Sequence, residues 1–289
     1  MALNRRTALN LGLLLLVALL GTVVWLEPGL KEPAQQETPL TALTSQQVQQ
    51  LRLKNGHGEL LLQRQGDGWA LSEPLTVAAD PFQVEQLLQW LTVASLQSYA
   101  AEGLDLAKFG LEQPQATLST EGLELRFGGL DPLNQRRYLL INGVVHLVAK
   151  NDLTDVTSGW SQFVSPVVIP AAAKIESLTL PGLGVVMQGE KGWHYEGPTP
   201  PDSADAMQIL VDGWRSARAI SVEPAVTAGG ERVTITFADD HPPLLLMLSR
   251  TDDTLILRPE SLGIEYHMAL QQEAMLFKWS APAIDGEKQ

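Results

Sequence analysis

Gly68-Trp69-Ala70-Leu71 and Gly192-Trp193-His194-Tyr195 are the stretches that decide the fold. Each is a glycine turn feeding a short strand with tryptophan in second place. Each is followed by a further tryptophan inside a helical pattern, Trp90 and Trp214. Both offsets are 124 residues (69 to 193 and 90 to 214), so one structural plan is written twice along the chain.

In the first copy, Val48 to Lys54 and Glu59 to Gln63 read as strands around the hairpin signal Asn55-Gly56. Gly66-Asp67-Gly68 turns the chain into the Trp69 strand. Asp80-Pro81 opens a helix, with Asp as N-cap and Pro where its missing N–H is harmless. Val84, Leu87, Leu88, Leu91 and Ala94 fall on one helical stripe. Leu118, Leu123 to Phe127, Tyr138 to Ile141 and Val144 to Val148 return to strands, the last two joined by Asn142-Gly143 as a type I′ hairpin.

The second copy runs Ile175 to Leu180, Val185 to Gln188 and the Trp193 strand. A helix follows from about Asp202, with Ala206, Ile209, Leu210, Ala217 and Ile220 as its stripe. Val233 to Phe237, Leu244 to Leu248, Thr254 to Leu257 and Ile264 to Met268 complete it, with Thr251-Asp252-Asp253 where the first copy has Asn142-Gly143. The first copy also carries extra residues before its later strands, Lys108 to Pro114 among them. The predicted fold class is α+β: an N-terminal transmembrane helix, then two tandem repeats, each a mostly antiparallel sheet with one packed helix.

The N-terminus sets the address. Arg5 and Arg6 precede an apolar run from Ala8 to Leu26, closing on Trp25 and Leu26 before Glu27-Pro28-Gly29. As a helix this run spans roughly 28 Å, close to the ~30 Å hydrocarbon layer. The arginines place the N-terminus in the cytoplasm and Trp25 suits the far interface. Bulky Thr22-Val23-Val24-Trp25-Leu26 fits signal peptidase poorly, and Arg5-Arg6 matches only the arginine pair of a twin-arginine signal, so the run is expected to stay as an anchor. The expected organisation is residues 1–26 as stub and anchor and 27–47 as a Pro/Gln-rich tether. Residues 48–170 and 171–280 are the two repeats, and 281–289 a tail. That makes a single-pass protein of a bacterial inner membrane with its C-terminal part in the periplasm.

Composition narrows the chemistry. The net charge is −13, and −15 without Arg5 and Arg6, which makes nucleic acid and anionic lipid headgroups poor partners. The chain has no cysteine, which removes disulfides, thiol catalysis and Cys-ligated zinc. Gly184 to Lys191 offers only the outline of a phosphate loop: Glu190 stands where Lys is required, and Lys191, followed by Gly192, stands where Ser or Thr is required. None of His57, His146, His194, His241 and His267 forms an i, i+4 pair, and Asp239-Asp240-His241 before Pro242-Pro243 reads as a solvated loop. No G-x-S-x-G is present, and Ser158-Gly159-Trp160-Ser161 lies in a polar turn. The matched tryptophans read as core packing, while Trp160 and Trp279 are freer to meet a partner. No catalytic, cofactor or metal residue is expected.

The anchor, the Gly-Trp strand followed by Pro74, the Phe109-Gly110-Leu111-Glu112-Gln113-Pro114 segment, and the hairpin and turn from Tyr138 to Asp155 resemble the domain of unknown function 4340 family. The likeness runs from about Leu51 to Trp214. It implies an envelope protein with one membrane span, often associated with ABC-type export systems and gliding-motility-like auxiliary proteins, and it brings no catalytic residues. The expected function is therefore a non-enzymatic, protein-binding accessory of an ABC-type transport assembly, its partners envelope or transporter proteins. The rival readings are an envelope hydrolase or metal-dependent enzyme, which needs a pocket joining His241 or His267 to carboxylates, and a cell-wall or surface-glycan binder, which needs exposed aromatic platforms.

Overall fold

The computed structural model describes residues 38–279, together with residues 17 and 22. Of the expected anchor only residues 17 and 22 are described, and Arg5, Arg6, Ala8, Trp25 and Leu26 lie outside the described residues. Among the described residues no helix is long and apolar enough to cross a membrane.

Two antiparallel sheets make up the body. The first contains β1 (Thr38–Pro39), β2 (Gln50–Asn55), β3 (Gly58–Gln65), β4 (Gly68–Glu73), β5 (Val77–Ala78), β6 (Ala94–Ala100), β7 (Ala116–Thr120), β8 (Leu123–Leu130), β9 (Arg137–Ile141) and β10 (Val144–Val148). The second contains β11 (Ile175–Leu180), β12 (Gly184–Gly189), β13 (Gly192–Glu196), β14 (Ser221–Pro224), β15 (Glu231–Phe237), β16 (Leu244–Arg250), β17 (Thr254–Pro259) and β18 (Ile264–Ala269). Helix α1 (Pro81–Thr92) lies between β5 and β6, α2 (Thr154–Thr157) follows β10, α3 (Ala204–Arg215) precedes β14, and α4 (Gln272–Phe277) follows β18.

Strand order exposes the duplication. The first sheet reads β1-β6-β10-β9-β8-β7-β2-β3-β4-β5, and the second β13-β12-β11-β15-β16-β17-β18-β14. Reversing the second gives β14-β18-β17-β16-β15-β11-β12-β13, the order of the first from β6 to β4. The strand after each helix returns to pair with the last strand of its own sheet, β6 with β10 and β14 with β18. Only the first sheet adds a short strand at each end. The likeness extends past the sheets, since each ends in a short helix that receives the buried tryptophan. The indole N–H of Trp90 donates to Asp155 on α2 at 2.8 Å, and that of Trp214 donates to the carbonyl of Leu276 on α4 at 2.9 Å.

Local chemistry explains the elements. The side chain of Asp80 accepts from the N–H of Phe82 at 3.0 Å, capping α1 ahead of Pro81. Val84, Leu87, Leu88, Trp90 and Leu91 are buried under it, whereas Ala94 has passed into β6. Burying four aliphatic side chains contributes about 1.5–3 kcal/mol each, so packing rather than helix propensity holds a 12-residue helix. Asn142 and Gly143 have φ of 49° and 74°, as a type I′ turn requires. Glu121-Gly122 makes a second turn of that kind (φ 40° and 83°), and the Glu121 carboxylate accepts from the N–H groups of Gln49 and Gln50. The β2–β3 loop is Gly56-His57, one residue on from the expected Asn55-Gly56. This frees Asn55 to donate to the carbonyls of Val156 and Ser158, both at 2.9 Å, tying the hairpin to α2.

Three details differ from the sequence reading. The second helix keeps Ala206, Leu210 and Ala217 at the core, but Ile209 is more than a third exposed and Ile220 lies beyond the helix in solvent. Val211 and Trp214 fill that face instead, because α3 ends at Arg215 and its inward arc is set by Leu210 and Trp214. Gly213 lets α3 approach α4, since a Cβ there would lie 2.7 Å from Cγ of Met275. Trp279 is buried, its N–H donating to the carbonyl of Thr199 and its ring edge-on to Tyr195 at 5.0 Å. From Thr38 onward the stretch read as a tether is docked: β1 pairs with β6, and the N–H and hydroxyl of Thr41 both donate to the carbonyl of Leu91.

The extra residues of the first copy cover the outer face of its sheet. A single turn at Leu106–Phe109 sets the Phe109 ring against Tyr138 at 4.9 Å, above Leu111, Leu140 and Val145. Otherwise one continuous apolar core runs through both halves, from Val48 to Trp279.

Candidate functional site

The two sheets meet at a short linker. Val164 bridges to Ala79 beside β5, and Val167 bridges to Arg218 ahead of β14. Backbone bonds lock both sides. Asp80 donates to the carbonyl of Phe163 and Ser165 to that of Ala78, while Val168 donates to Ala217 and Ala219 to Pro166. Pro166 and Pro170 bracket the apolar run Val167-Val168-Ile169, which lies between the copies rather than in either sheet.

Beside this linker is a cavity of about 550 Å³. Its walls come from β5, the start of α1, the linker, the residue after α3's turn, and two loops of the second half. Val77, Val168, Phe237, Leu244, Leu262 and the ring of Tyr266 give it an apolar lining. Its charged wall residue is Arg218, whose guanidinium makes no ion pair or hydrogen bond among the described residues. No Asp or Glu lines it, although the chain carries 33 of them. Size and lining fall in the ordinary range of small-molecule sites, ~300–1,000 Å³ and mostly apolar with a few polar groups.

Tyr266 is the buried polar group of the wall. The residue is 7% exposed, and its hydroxyl, which makes no hydrogen bond among the described residues, still reaches solvent. Burial pushes its pKa up to about 12, so at neutral pH it is a phenol with a proton to donate. His241, also on the wall, is held by Asp239, whose Oδ1 accepts from the ring Nδ1 at 2.6 Å and from the His241 N–H at 3.2 Å. The Asp239 carboxyl lies below its usual value, chiefly through the N–H of Lys174 and then through His241. Asp239-Asp240-His241 thus acts as a loop staple that orients an imidazole at the cavity.

The other residues singled out by sequence fall elsewhere. His267 sits one residue past Tyr266, so it faces the opposite side of β18, where its Nε2 lies 3.1 Å from buried Glu265 and 4.0 Å from Glu223. Burial opposes ionisation of Glu265. The N–H and hydroxyl of Thr227, His267 and the N–H of Val226 outweigh it, and the carboxyl lies below its ordinary value. His146 meets the hydroxyl of Ser95 at 2.8 Å, and burial lowers its pKa. Gly184 to Lys191 is β12 and its turn, and Trp160 opens a single helical turn. Among the described residues no three of His, Asp and Glu are grouped as metal ligands. The described tryptophans are buried or half-buried, so none forms an open stacking platform.

Sequence reasoning did not find Arg218 or Tyr266. The available signal was indirect: an apolar run between two prolines, outside any strand pattern, must be covered by both repeats, and a junction of that kind is where cavities form.

A family model described as "Domain of unknown function (DUF4340)" matches residues 69–227. The match starts at the tryptophan of β4 and ends just past β14, so it crosses the junction and includes Arg218. It begins later and ends later than the resemblance read from the residues, because it takes in the second helix and the strand that follows. No curated protein and no solved structure matches the chain.

Proposed function

The chain belongs to the DUF4340 family of domains of unknown function, and from that premise we propose that it is a membrane-tethered, extracytoplasmic binding module that serves an ABC-type transport assembly. One observation carries this reading: the order of segments, with Arg5-Arg6, a nineteen-residue run that is apolar but for Asn10 and Thr22, a Pro/Gln-rich stretch and then a large acidic body. That order pins a folded body to the periplasmic side of a bacterial inner membrane. The body supports a binding role rather than catalysis. No Asp or Glu lines its junction cavity among the described residues, and the one hydrogen-bond partner of the His241 ring there is Asp239 rather than the wall hydroxyls of Thr76 or Ser165.

The partner in this reading is a subunit of the transporter. The test is crosslinking in cells, solubilisation in mild detergent and recovery of the tagged full chain. Transporter subunits recovered stoichiometrically support it, and the chain recovered alone counts against it. Protease added to spheroplasts tests the address: the body should be digested, and a body that survives in intact spheroplasts but not in lysed ones refutes an extracytoplasmic location.

A further inference from the structure

The junction cavity differs in charge from the molecule around it. A strongly acidic chain lines this apolar recess with no carboxylate among the described residues, and sets there the exposed Arg218, whose guanidinium makes no ion pair or hydrogen bond among them. The Arg218 backbone is fixed by its bridge to Val167 and by the flanking bonds of Ala217 and Ala219 to the linker, so the cation is presented from an ordered strand-like segment. On the wall it is joined by Tyr266, whose hydroxyl makes no hydrogen bond among the described residues and keeps contact with solvent although the residue as a whole is 7% exposed. A hydroxyl open to the cavity and not engaged by the protein is available to donate to a ligand oxygen.

We propose that this cavity binds an amphiphile with an anionic head and an apolar tail, the chemistry of a long-chain fatty carboxylate. The head accepts from Arg218 and Tyr266, a charge-assisted pair that a neutral or cationic head cannot reproduce. The tail lies against Val77, Val168, Phe237, Leu244 and Leu262. Acidic polymers are poor occupants, since the outer charge repels them before they reach Arg218. An apolar tail with a single charge meets little of that repulsion. The proposal goes beyond the function given above and depends on neither the tether nor the transporter.

The test uses the full chain in phosphatidylcholine nanodiscs with a diazirine-bearing palmitate, irradiated and mapped by peptide mass spectrometry. Label is expected on the peptides holding Val167 to Ala171 and Leu262 to Tyr266. Palmitate should compete it away, and hexadecylamine, with the same tail and the opposite head, should not. Each methylene buried is worth about fourfold in affinity, so laurate should compete far more weakly than palmitate. Arg218→Gln should lower labelling of those peptides about tenfold. Ala171→Trp, at an exposed wall position, should block it by volume. Circular dichroism checks that both variants fold, and the head-group comparison on the unaltered chain stands without them. Label scattered over the body, label confined to residues 1–37, equal competition by hexadecylamine, or labelling unchanged in both folded variants overturns the proposal.

Discussion

Replacing Asp155 by alanine should destabilise the first half through one orphaned donor. Asp155 Oδ2 accepts from the indole N–H of Trp90 at 2.8 Å and from Nζ of Lys150 at 2.7 Å. Trp90 is fully buried, and the Lys150 ammonium also sits 4.3 Å above its ring. Removing the carboxylate leaves the indole N–H in a dry core, at about 1–3 kcal/mol. The side chain of Lys150 keeps a quarter of its surface in solvent, so its lost pair adds only about 0–1 kcal/mol. Together these come to about 1–4 kcal/mol. Trp90→Phe removes the donor beforehand, so in that background Asp155→Ala should cost only the lysine pair. The coupling between the two substitutions is therefore about 1–3 kcal/mol, and packing lost with the indole cancels in the cycle. Urea unfolding of the full chain in mild detergent, followed by far-ultraviolet circular dichroism, measures it. Additivity within about 0.3–0.5 kcal/mol refutes the role given to the hydrogen bond. The matched site in the second half offers a contrast, because Trp214 donates to the backbone of Leu276 and no side-chain deletion removes that acceptor.

Three further outcomes follow from the same geometry. Glu265 is ionised in the fold and its carboxyl is held below the usual 4.5, so its stabilisation is complete above that value and is lost as pH falls through the lower folded pKa; Glu265→Gln should flatten the melting temperature between pH 5 and 3 while lowering it by about 1–3 kcal/mol equivalent at pH 7. His146 is held neutral by burial, so the unfolded chain binds the proton more readily below 6.5; stability should fall as pH drops from 6.5 and level off below the folded pKa, and melting of His146→Gln at pH 7.5 and 5.5 should show a smaller difference than the parent. Gly128→Ala should destabilise by about 1–3 kcal/mol, seen as a lower urea midpoint, because a Cβ there would lie 2.9 Å from Leu111 Cδ2 and closer still to the carbonyl oxygen of Phe109.

What the sequence made legible was local and repeated. Asp80-Pro81 fixed a helix start because the cap is chemistry within three residues, and Asn142-Gly143 fixed a hairpin because few other pairs accept two positive φ values. The matched tryptophans worked because the same packing problem recurs in each half. β6 was missed: its outer residues are mostly exposed, and it exists through pairing with β10 rather than through an apolar alternation of its own. Ile220 falls outside the core because helical spacing cannot say where a helix stops, and α3 stops at Arg215; Ile209 lies within α3 at the edge of the face that Leu210, Val211 and Trp214 bury. Trp279 looked free because its partners, Thr199 and Tyr195, lie some eighty residues earlier. The cavity was not legible for the same reason. Arg218 and Tyr266 are ordinary residues until the linker sets the wall of one half beside the loops of the other.

Between Val164, stitched to one sheet, and Val167, stitched to the other, only Ser165 and Pro166 remain. Two residues give no slack for a hinge, and each of them is itself bonded, Ser165 to the β5 side and Pro166 to Ala219. The halves therefore cannot swing apart as bodies joined by string do. Pulling one from the other strips ladder bonds and opens the shared core at the same moment, so the duplicated body should melt in a single calorimetric step despite its two sheets.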